Sequence, residues 1–442
     1  MLLLLSLKSR LMRINMQVLS GAWISAILLL LLGTTILSDA SRKSIGNQMM
    51  KEAVFLSPKF ELTPGSVLNR YYYDIPFPKG HIAIKSFNGE VVDEQGNSVP
   101  LHETYLHHWL VIRYHQQKGN TSTLKEGPRV PDEAALGHFV IRNSGICQND
   151  FLIHYFAIGS ETRRTETYIP NPFGVEIGNL AEIPKGHEEK WMLNVHAIDT
   201  RGVVDKLGCT ECRCDLYNIT KDGFGRPLEL DYKGGSKCCD HKAQCKLREG
   251  FKGPKRSLHI RYTVKWIDWS DLIVPLNIYS IDVTDTLQIS SSGSSKTRST
   301  THKCMFEYQV ESCNEKQKDR SACVHVKRSR LPMPRGGHVI YGVGHQHSGG
   351  IGLTLYGKDG RVICSSKPIY GKGKEAGNEE GYVVGMSTCY PKPGSVNIME
   401  GETITLESNY NNTQGHAGVM GIFFLFVAEH LPPQHSTYLS PP

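Results

Sequence analysis

The segment HHWLVIRY spans residues 107–114 and carries the clearest fold signal in the chain. Its apolar, aromatic and β-branched residues favour a buried strand, and the run is too short for a typical helix. Similar runs recur between turn-forming residues, as at 190–198 (KWMLNVHAI) and 419–428 (VMGIFFLFVA). The 43 glycines and 22 prolines supply the turns that many short strands require. The sequence therefore predicts a mainly β protein built from sandwiches.

A serine-rich segment divides these runs into two sets. Residues 286–301 (TLQISSSGSSKTRSTT) contain short polar side chains and no apolar residue after Ile289. This composition is typical of a linker and equally of a long surface loop. We expect a first β-sandwich domain over residues 50–285, a second over 302–430 and a polar, proline-rich tail at 431–442.

The first 40 residues have the order of a secretory signal peptide. A basic leader precedes an apolar run from Ala22 to Leu37, and small and polar residues follow up to Ala40. The apolar run falls short of the roughly 20 residues of a spanning helix, which favours cleavage near Ala40 over a retained signal anchor. The sequence therefore predicts a secreted protein that stays at a membrane only if the signal is uncleaved.

The twelve cysteines all follow this signal and predict disulfides. Six of them crowd into residues 209–245, hereafter the Cys-rich insertion. Its spacing superficially resembles a metal knuckle, but an oxidising compartment favours disulfides there. Their pairing does not follow from the sequence. Sequons at Asn120, Asn218 and Asn411 predict glycosylation and point to the same compartment.

The net charge argues against a nucleic-acid partner. Removal of residues 1–40 takes three basic residues and one acidic residue from a formal charge of +7, which leaves +5. The remaining basic residues form no long block, so the sequence offers no patch for nucleic acid. The expected partner is an unknown small molecule or an extracellular polymer.

One set of side chains has the spacing of metal ligands on a strand. His345 and His347 are two residues apart and therefore face the same side. Imidazole suits copper, zinc, iron and nickel, and the thioether of Met420 would favour Cu(I). Taken singly, the histidine pair is typical of a polar strand end, and Met420 is typical of an apolar core.

A second set is less regular. His107 and His108 are adjacent and would point to opposite faces of a regular strand. One metal ion could take both rings only at a strand end, a bend or a bulge. His196 ends a Leu-Asn-Val-His strand and could add a third ligand from the facing side. Spacing alone does not join these three positions.

Several segments together resemble a known family. They are HHWLVIRY (107–114), EEKWMLNVHAID (188–199), the Cys-rich insertion, RYTVKWIDWSD (261–271) and GGHVIYGVGHQHSGGIGLTLYG (336–357). In this order they resemble the plant stress-up-regulated nodulin family of secreted proteins, over residues of about 50–430. The resemblance implies a stress-related protein of the plant extracellular space, the apoplast.

The same landmarks are similar, more distantly, to those of ascorbate-dependent copper type II monooxygenases, which include the peptide α-hydroxylating and dopamine β-hydroxylating enzymes. This resemblance implies two jelly-roll-like antiparallel β-sandwich domains that hold one copper each. Ascorbate would reduce both coppers, and the site with the thioether would support hydroxylation of a substrate C–H bond. The implied copper ligands are His107, His108 and His196 in the first domain, and His345, His347 and Met420 in the second.

Departures from the family pattern leave other functions open. The peptide-hydroxylating branch uses an Arg and a Tyr to hold the peptide carboxylate, where this chain has Val343 and Phe424, and neither can bind a carboxylate. The acidic and Cys residues that flank the family's Met are absent around Met420. The alternative is a non-enzymatic secreted protein that binds copper or a wall polymer. A zinc hydrolase ranks last because it leaves Met420 unexplained.

The sequence does not identify the residues that would orient the ligand rings. A metal-bound histidine usually donates its second N–H to a carboxylate, a carbonyl or water. Four histidines lie near the predicted ligands in sequence and are candidates, although each is expected at the surface: His102, His115, His338 and His416.

Overall fold

The computed structural model describes residues 49–119, 125–127, 138–147, 156–222, 225–291, 298–313 and 323–432. Within these ranges the chain is mainly β, and the single α-helix is the short Lys206–Thr210. Short 3-10 helices lie at Ser160–Arg164 and Cys214–Leu216. No helix in this part of the chain is long and apolar enough to cross a membrane. The predicted signal peptide and Asn120 fall outside the described residues.

Twelve strands of the N-terminal part form two sheets. In chain order they are β1 Lys51–Leu56, β2 Phe60–Leu62, β3 Val67–Tyr72, β4 Ile82–Asp93, β5 Thr104–Gln117, β6 Glu126–Gly127, β7 His138–Ile141, β8 Phe156–Ile158, β9 Phe173–Ile177, β10 His187–Asp199, β11 Arg256–Asp268 and β12 Val274–Pro275. Sheet 1 has the order β1-β11-β4-β9-β12, with β2 also on β11. Sheet 2 has the order β6-β3-β10-β5-β7, with β8 also on β5.

The C-terminal strands form two more sheets and two hairpin-like pairs. They are β13 Asn277–Asp282, β14 Thr286–Ser291, β15 Arg298–Lys303, β16 Glu307–Val310, β17 Val324–Pro332, β18 Gly337–Gln346, β19 Gly350–Tyr356, β20 Val362–Ser366, β21 Pro368–Tyr370, β22 Val383–Met386, β23 Thr388–Cys389, β24 Asn397–Ile398, β25 Thr403–Asn411 and β26 His416–Ala428. Sheet 3 has the order β13-β26-β18-β23, with β16 on β26 and β24 on β18. Sheet 4 has the order β17-β25-β19-β20.

Burial along each strand follows its place in these sheets. Strand β25 alternates between buried and more exposed residues, as a sheet with one covered face requires. Strands β5 and β26 instead are buried at every residue except the last of β5. Both faces of these two strands are covered, so the histidines that they carry are placed in the interior.

Aromatic and glycine residues set the packing of the sheets on one another. Phe87 of sheet 1 has its ring centroid 4.0 Å from that of Phe156 of sheet 2. Gly89 leaves room for the Trp109 ring, which would lie 2.7 Å from a Cβ at that position. In sheets 3 and 4, Tyr308 donates its hydroxyl proton to Ser408 Oγ at 3.0 Å.

The serine-rich segment contains two paired strands, β14 and β15, on either side of residues 292–297, which lie outside the described ranges. Strand β13, which falls within the predicted first domain, pairs with β26 of the C-terminal part. The division into domains at 286–301 stays a prediction.

The predicted disulfides are confirmed. All twelve cysteines are paired, as Cys147–Cys304, Cys209–Cys245, Cys212–Cys239, Cys214–Cys238, Cys313–Cys323 and Cys364–Cys389. Three of the six bridges lie within the Cys-rich insertion, where they fix a segment with little regular secondary structure. So many disulfides indicate an oxidising, secretory or extracellular compartment. Asn218 and Asn411 are exposed, and their glycosylation stays a prediction.

Candidate metal centre

The adjacent histidines of β5 lie at a β-bulge. Strand β5 pairs with β10 so that His108 is opposite His196, while Leu106 is opposite Ala197. His107 therefore has no partner in the register and is the extra residue of the bulge. For both rings to reach one ion, the sequence requires a strand end, a bend or a bulge, and the bulge meets that requirement.

His107, His108 and His196, hereafter the three-histidine group, are close enough to hold one metal ion. The ring centroid of His107 lies 4.5 Å from that of His196 and 5.6 Å from that of His108. One nitrogen from each ring lies within 4.8 Å of the other two. All three side chains are buried, at 2%, 9% and 0% exposure.

Hydrogen bonds fix the protonated nitrogen in two of these rings. His196 donates from Nε2 to the Cys239 carbonyl at 2.8 Å. His108 donates from Nε2 to Asn194 Oδ1, also at 2.8 Å. Both bonds leave the lone pair on Nδ1. Nδ1 of His196 and Nδ1 of His107 are buried without a hydrogen-bond partner in the described chain, which a bound metal ion would remedy.

His345, His347 and Met420, hereafter the thioether group, lie on neighbouring strands. In the β18–β26 register His345 is opposite Ile422, which is two residues from Met420, and His347 directly follows the end of β18. The Tyr410 hydroxyl joins the two backbones, because it accepts from the His347 N–H at 2.9 Å and donates to the Met420 carbonyl at 2.7 Å. Met420 is 9% exposed. By strand alternation, the side chains of His345 and Met420 share one face of sheet 3.

A carboxylate orients the first ring of the thioether group. Glu161, from the 3-10 helix Ser160–Arg164, lies 2.6 Å through Oε1 from Nδ1 of His345. The carboxylate accepts the Nδ1 proton, which leaves the lone pair of His345 on Nε2. Glu161 is 2% exposed. Sequence reasoning missed this residue, because 184 positions separate it from His345.

The two predicted ligand groups touch. The ring of His347 meets the ring of His107 edge to face, with centroids 4.7 Å apart. His345 and His347 have centroids 5.3 Å apart. Neither ring nitrogen of His347 has a hydrogen-bond partner in the described chain. The sequence does not decide whether the groups face one another, and the structure joins them into one five-histidine centre.

Burial disfavours the charged form of three of these rings. It holds the pKa of His107 and of His347 well below the usual value, and the neighbouring histidines act in the same direction. A backbone contact with Gly418, which falls short of hydrogen-bond geometry, opposes the shift in the pKa of His347. Burial also lowers the pKa of His196 to about 4, against the opposing effects of the Cys239 carbonyl and Asp240. Neutral imidazole is the form that binds metal.

Two apolar residues lie near the centre, and a cleft lies close to it in sequence, although none of the six predicted ligands lines that cleft. Val343 lies directly opposite Phe424, and both are buried. Following the strand alternation, they share the face of the thioether group. A cleft of about 660 Å³ is lined in part by the residues that directly follow His347 in the sequence. Its lining includes Ser348, Gly349, Gly350, Tyr370, Asn411 and His416.

Two of the four histidines considered as orienting partners are buried rather than at the surface. His115 and His416 are buried, at 1% and 6% exposure, so the expectation of a surface position is wrong for both. His416 pairs through Nδ1 with Glu211 Oε1 of the Cys-rich insertion at 2.7 Å. The partners that the structure gives to the ligand rings are an amide, a backbone carbonyl and a carboxylate from distant parts of the chain.

Comparisons with known proteins give one family. A family model described as "Stress up-regulated Nod 19" matches residues 48–430. No curated protein matches the sequence. Among solved structures, the chain is similar to the VP2 subviral particle of infectious bursal disease virus, with 10% identity over 88% of this chain and 75% of that chain and a TM-score of 0.18. The structure of the Gx strain of that virus has 11% identity over 87% of this chain and 72% of that chain, with a TM-score of 0.17. Likeness at these scores supports no conclusion about this chain.

Proposed function

The chain belongs to the stress up-regulated Nod 19 family, and we propose that this chain is an extracellular copper-binding protein with a redox-active centre. The family description states no chemistry, so the proposal rests on the site. The observation that carries the proposal is a set of buried histidine nitrogens without hydrogen-bond partners: Nδ1 of His107, Nδ1 of His196 and both nitrogens of His347. Such atoms are costly to bury unless they bind something.

We assign two coppers to the centre, one to each ligand group. The three-histidine group offers only imidazole nitrogen, whereas the thioether group adds the soft sulfur of Met420, which favours Cu(I). When bound, copper would supply one-electron redox chemistry, with ascorbate as the reductant. The chain excludes water by burying all six side chains, and Glu161 holds the proton at Nδ1 of His345.

A second candidate function is hydroxylation of a C–H bond in an unknown small substrate. Two observations favour it: the contact between the two ligand groups, and a cleft lined by Ser348 and Gly349, the two residues after His347, which has the volume of a small-molecule site. Val343 and Phe424 offer no group for a carboxylate, so we expect glycine-extended peptides to be poor substrates. Measurable turnover of such a peptide would contradict this expectation.

The alternative is a non-enzymatic secreted protein that binds copper or a wall polymer. It keeps the metal centre, but the cleft then serves binding alone. Oxygen uptake by the copper-loaded protein with ascorbate and candidate substrates distinguishes the two. Uptake that depends on both ligand groups supports the enzyme, and its absence supports the binding protein.

We also propose the finer architecture and the location. Sheets 1 and 2 would form one jelly-roll-like sandwich, and sheets 3 and 4 would form another. Because β13 pairs with β26, the boundary between the two domains fits better before Asn277 than in the serine-rich segment. Cleavage near Ala40 would release the protein to the apoplast, and an uncleaved signal would leave it anchored.

The test is the metal content of the signal-free protein after reconstitution with copper. We expect close to two coppers per chain, of which His107→Ala and His345→Ala each remove one. His115→Ala is the matched control, since His115 is a buried histidine of the same strand as His107. Metal analysis should include zinc, which three histidines also bind.

Two results would overturn the proposal. One is a wild-type protein that retains no copper after reconstitution. The other is copper that survives both ligand substitutions, or that His115→Ala removes equally well, because the metal would then bind elsewhere. Circular dichroism of each variant separates loss of ligands from loss of fold.

A further inference from the structure

The Cys-rich insertion lies against the three-histidine group. Both sulfurs of the Cys212–Cys239 disulfide lie within 4.8 Å of a ring nitrogen of His107. These two cysteines are 0% exposed. A segment that carries three disulfides is thus packed directly on the proposed ligands, and neither the fold nor the copper assignment by itself explains why.

The first contact that matters is the Cys239 carbonyl. It accepts the Nε2 proton of His196, and a carbonyl can only accept. Cys239 is held by its own disulfide, and the neighbouring Cys238 is held by a second one to Cys214. The carbonyl is therefore fixed in place, and it fixes both the tautomer and the orientation of the His196 ring.

The second contact is a chain of hydrogen bonds from Asp240 to His108. Asn69 donates through Nδ2 to Asp240 Oδ1 at 3.2 Å. Asn194 donates through Nδ2 to Asn69 Oδ1 at 3.0 Å, and its own Oδ1 accepts from His108 Nε2 at 2.8 Å. Two groups that can only accept set the direction of this chain: the ionised Asp240 carboxylate, and the Arg70 carbonyl, to which Asn194 Nδ2 also donates at 3.3 Å.

We infer that the Cys-rich insertion orients two of the three ligands of the three-histidine group, through the Cys239 carbonyl for His196 and through the Asp240–Asn69–Asn194 relay for His108. Asp240, Asn69 and Asn194 are positioning residues, since none belongs to the proposed ligand set. That the oriented rings serve copper rests on the proposed function. The control of the ring tautomers is independent of the proposed function, because it can be measured in the metal-free protein.

The first readout is the histidine side-chain ¹⁵N–¹H spectrum of the metal-free protein at neutral pH. We expect His108 and His196 to carry their proton on Nε2. Asp240→Ala should leave His196 on Nε2 and shift part of His108 to the Nδ1 tautomer, because the longer bond to the Arg70 carbonyl remains as the fixed acceptor for the Asn194 amide. Asn69→Ala cuts the same relay at a half-buried position and should do the same. Asp240→Asn retains a carbonyl acceptor and should restore the wild-type spectrum.

The second readout is copper affinity, measured against a competing chelator. Loss of a hydrogen-bond partner of a metal ligand typically costs 10–100-fold in affinity, and we expect Asp240→Ala near about 10-fold because it acts through two amides. Asp215→Ala is the matched control, since Asp215 is an exposed carboxylate of the same insertion, paired with Arg213. It should change neither readout.

An unchanged His108 tautomer in both Asp240→Ala and Asn69→Ala would overturn the inference, whether or not copper binds. The same holds if Asp215→Ala alters the spectrum as much as Asp240→Ala does. A wild-type protein that binds no copper but shows the expected tautomers would remove the proposed function and leave the orienting role of the insertion standing.

Discussion

The three-histidine group and the thioether group differ in the charge of the residues that orient them. Neutral groups, the Asn194 amide and the Cys239 carbonyl, hold two rings of the first. A buried carboxylate, Glu161, holds His345 of the second. A neutral acceptor fixes a tautomer, whereas a carboxylate also places an acidic group beside the ligand and strengthens its donation to a metal.

The backbone behind the two groups differs as well. A β-bulge gives His107 and His108 their common target, so the first group depends on an irregularity in one strand. The thioether group uses regular pairing of two strands, tied together by the Tyr410 hydroxyl. We therefore expect the first group to respond to changes in packing and the second to changes in charge.

The largest expected effect tests whether the two groups are electrostatically independent. Burial lowers the pKa of His196 to about 4, and His196 in turn lowers the pKa of His107 and of His347. Between the folded and unfolded values the unfolded chain binds more protons, so the metal-free fold loses stability as the pH falls from about 6.5 towards 4. At 1.36 kcal/mol for each pH unit, His196 alone contributes about 3 kcal/mol to this loss.

The measurement is the free energy of unfolding of the metal-free protein by denaturant at several pH values between 7 and 4. In His196→Leu the fall with pH should be smaller by at least the contribution of His196. An equally steep fall in this variant would show that His196 is not held neutral. It would also remove the electrostatic link between the two groups.

The next effect concerns the carboxylate of the thioether group. Glu161→Gln retains a carbonyl oxygen but removes the charge, and we expect the copper affinity of this group to fall by roughly 10–100-fold. The three-histidine group should keep its copper. Glu379→Gln is the matched control, because Glu379 is also buried, at 1% exposure, but bonds to Arg163 and the Leu101 N–H. Equal losses from both groups would contradict the distinction drawn between them.

A packing change should act on both groups at once. Gly159 lies between them, and a Cβ there would be 2.5 Å from the His107 carbonyl oxygen and 3.0 Å from Cε1 of His345. Gly159→Ala should therefore destabilise the fold by roughly 1–3 kcal/mol, measured by denaturant unfolding. Gly352→Ala, whose nearest atom would be at 3.3 Å, should cost less. A neutral Gly159→Ala would mean that the two groups are farther apart in solution.

The sequence predicts those features of the fold that a local residue pattern encodes. The strands around HHWLVIRY and VMGIFFLFVA follow from runs of β-forming residues, and both lie within observed strands. For the two adjacent histidines to share one ion, the sequence required a strand end, a bend or a bulge, and the structure has a bulge at that position. The five predicted histidine ligands lie together, and their metal binding, like the role of Met420, stays a prediction.

What could not be predicted depends on contacts between distant parts of the chain. The partners of His108, His196 and His345 come from 86, 43 and 184 positions away, and no spacing rule marks them. The disulfide pairing of the insertion has the same origin, since many pairings satisfy the same spacing. Sequence proximity instead pointed to His115 and His416, which are buried for other reasons.

The smallest expected effect on stability isolates the thioether itself. Met420→Leu conserves volume and should cost less than about 1.5 kcal/mol, and the Tyr410 hydroxyl still joins the two backbones. Cu(I) affinity should nevertheless fall, because the soft ligand is lost, while Cu(II) binding at the three-histidine group is retained. Met386→Leu, a buried methionine of β22, is the control. If Met420→Leu and Met386→Leu leave Cu(I) affinity equally unchanged, Met420 is a core residue and the second group is a pair of histidines.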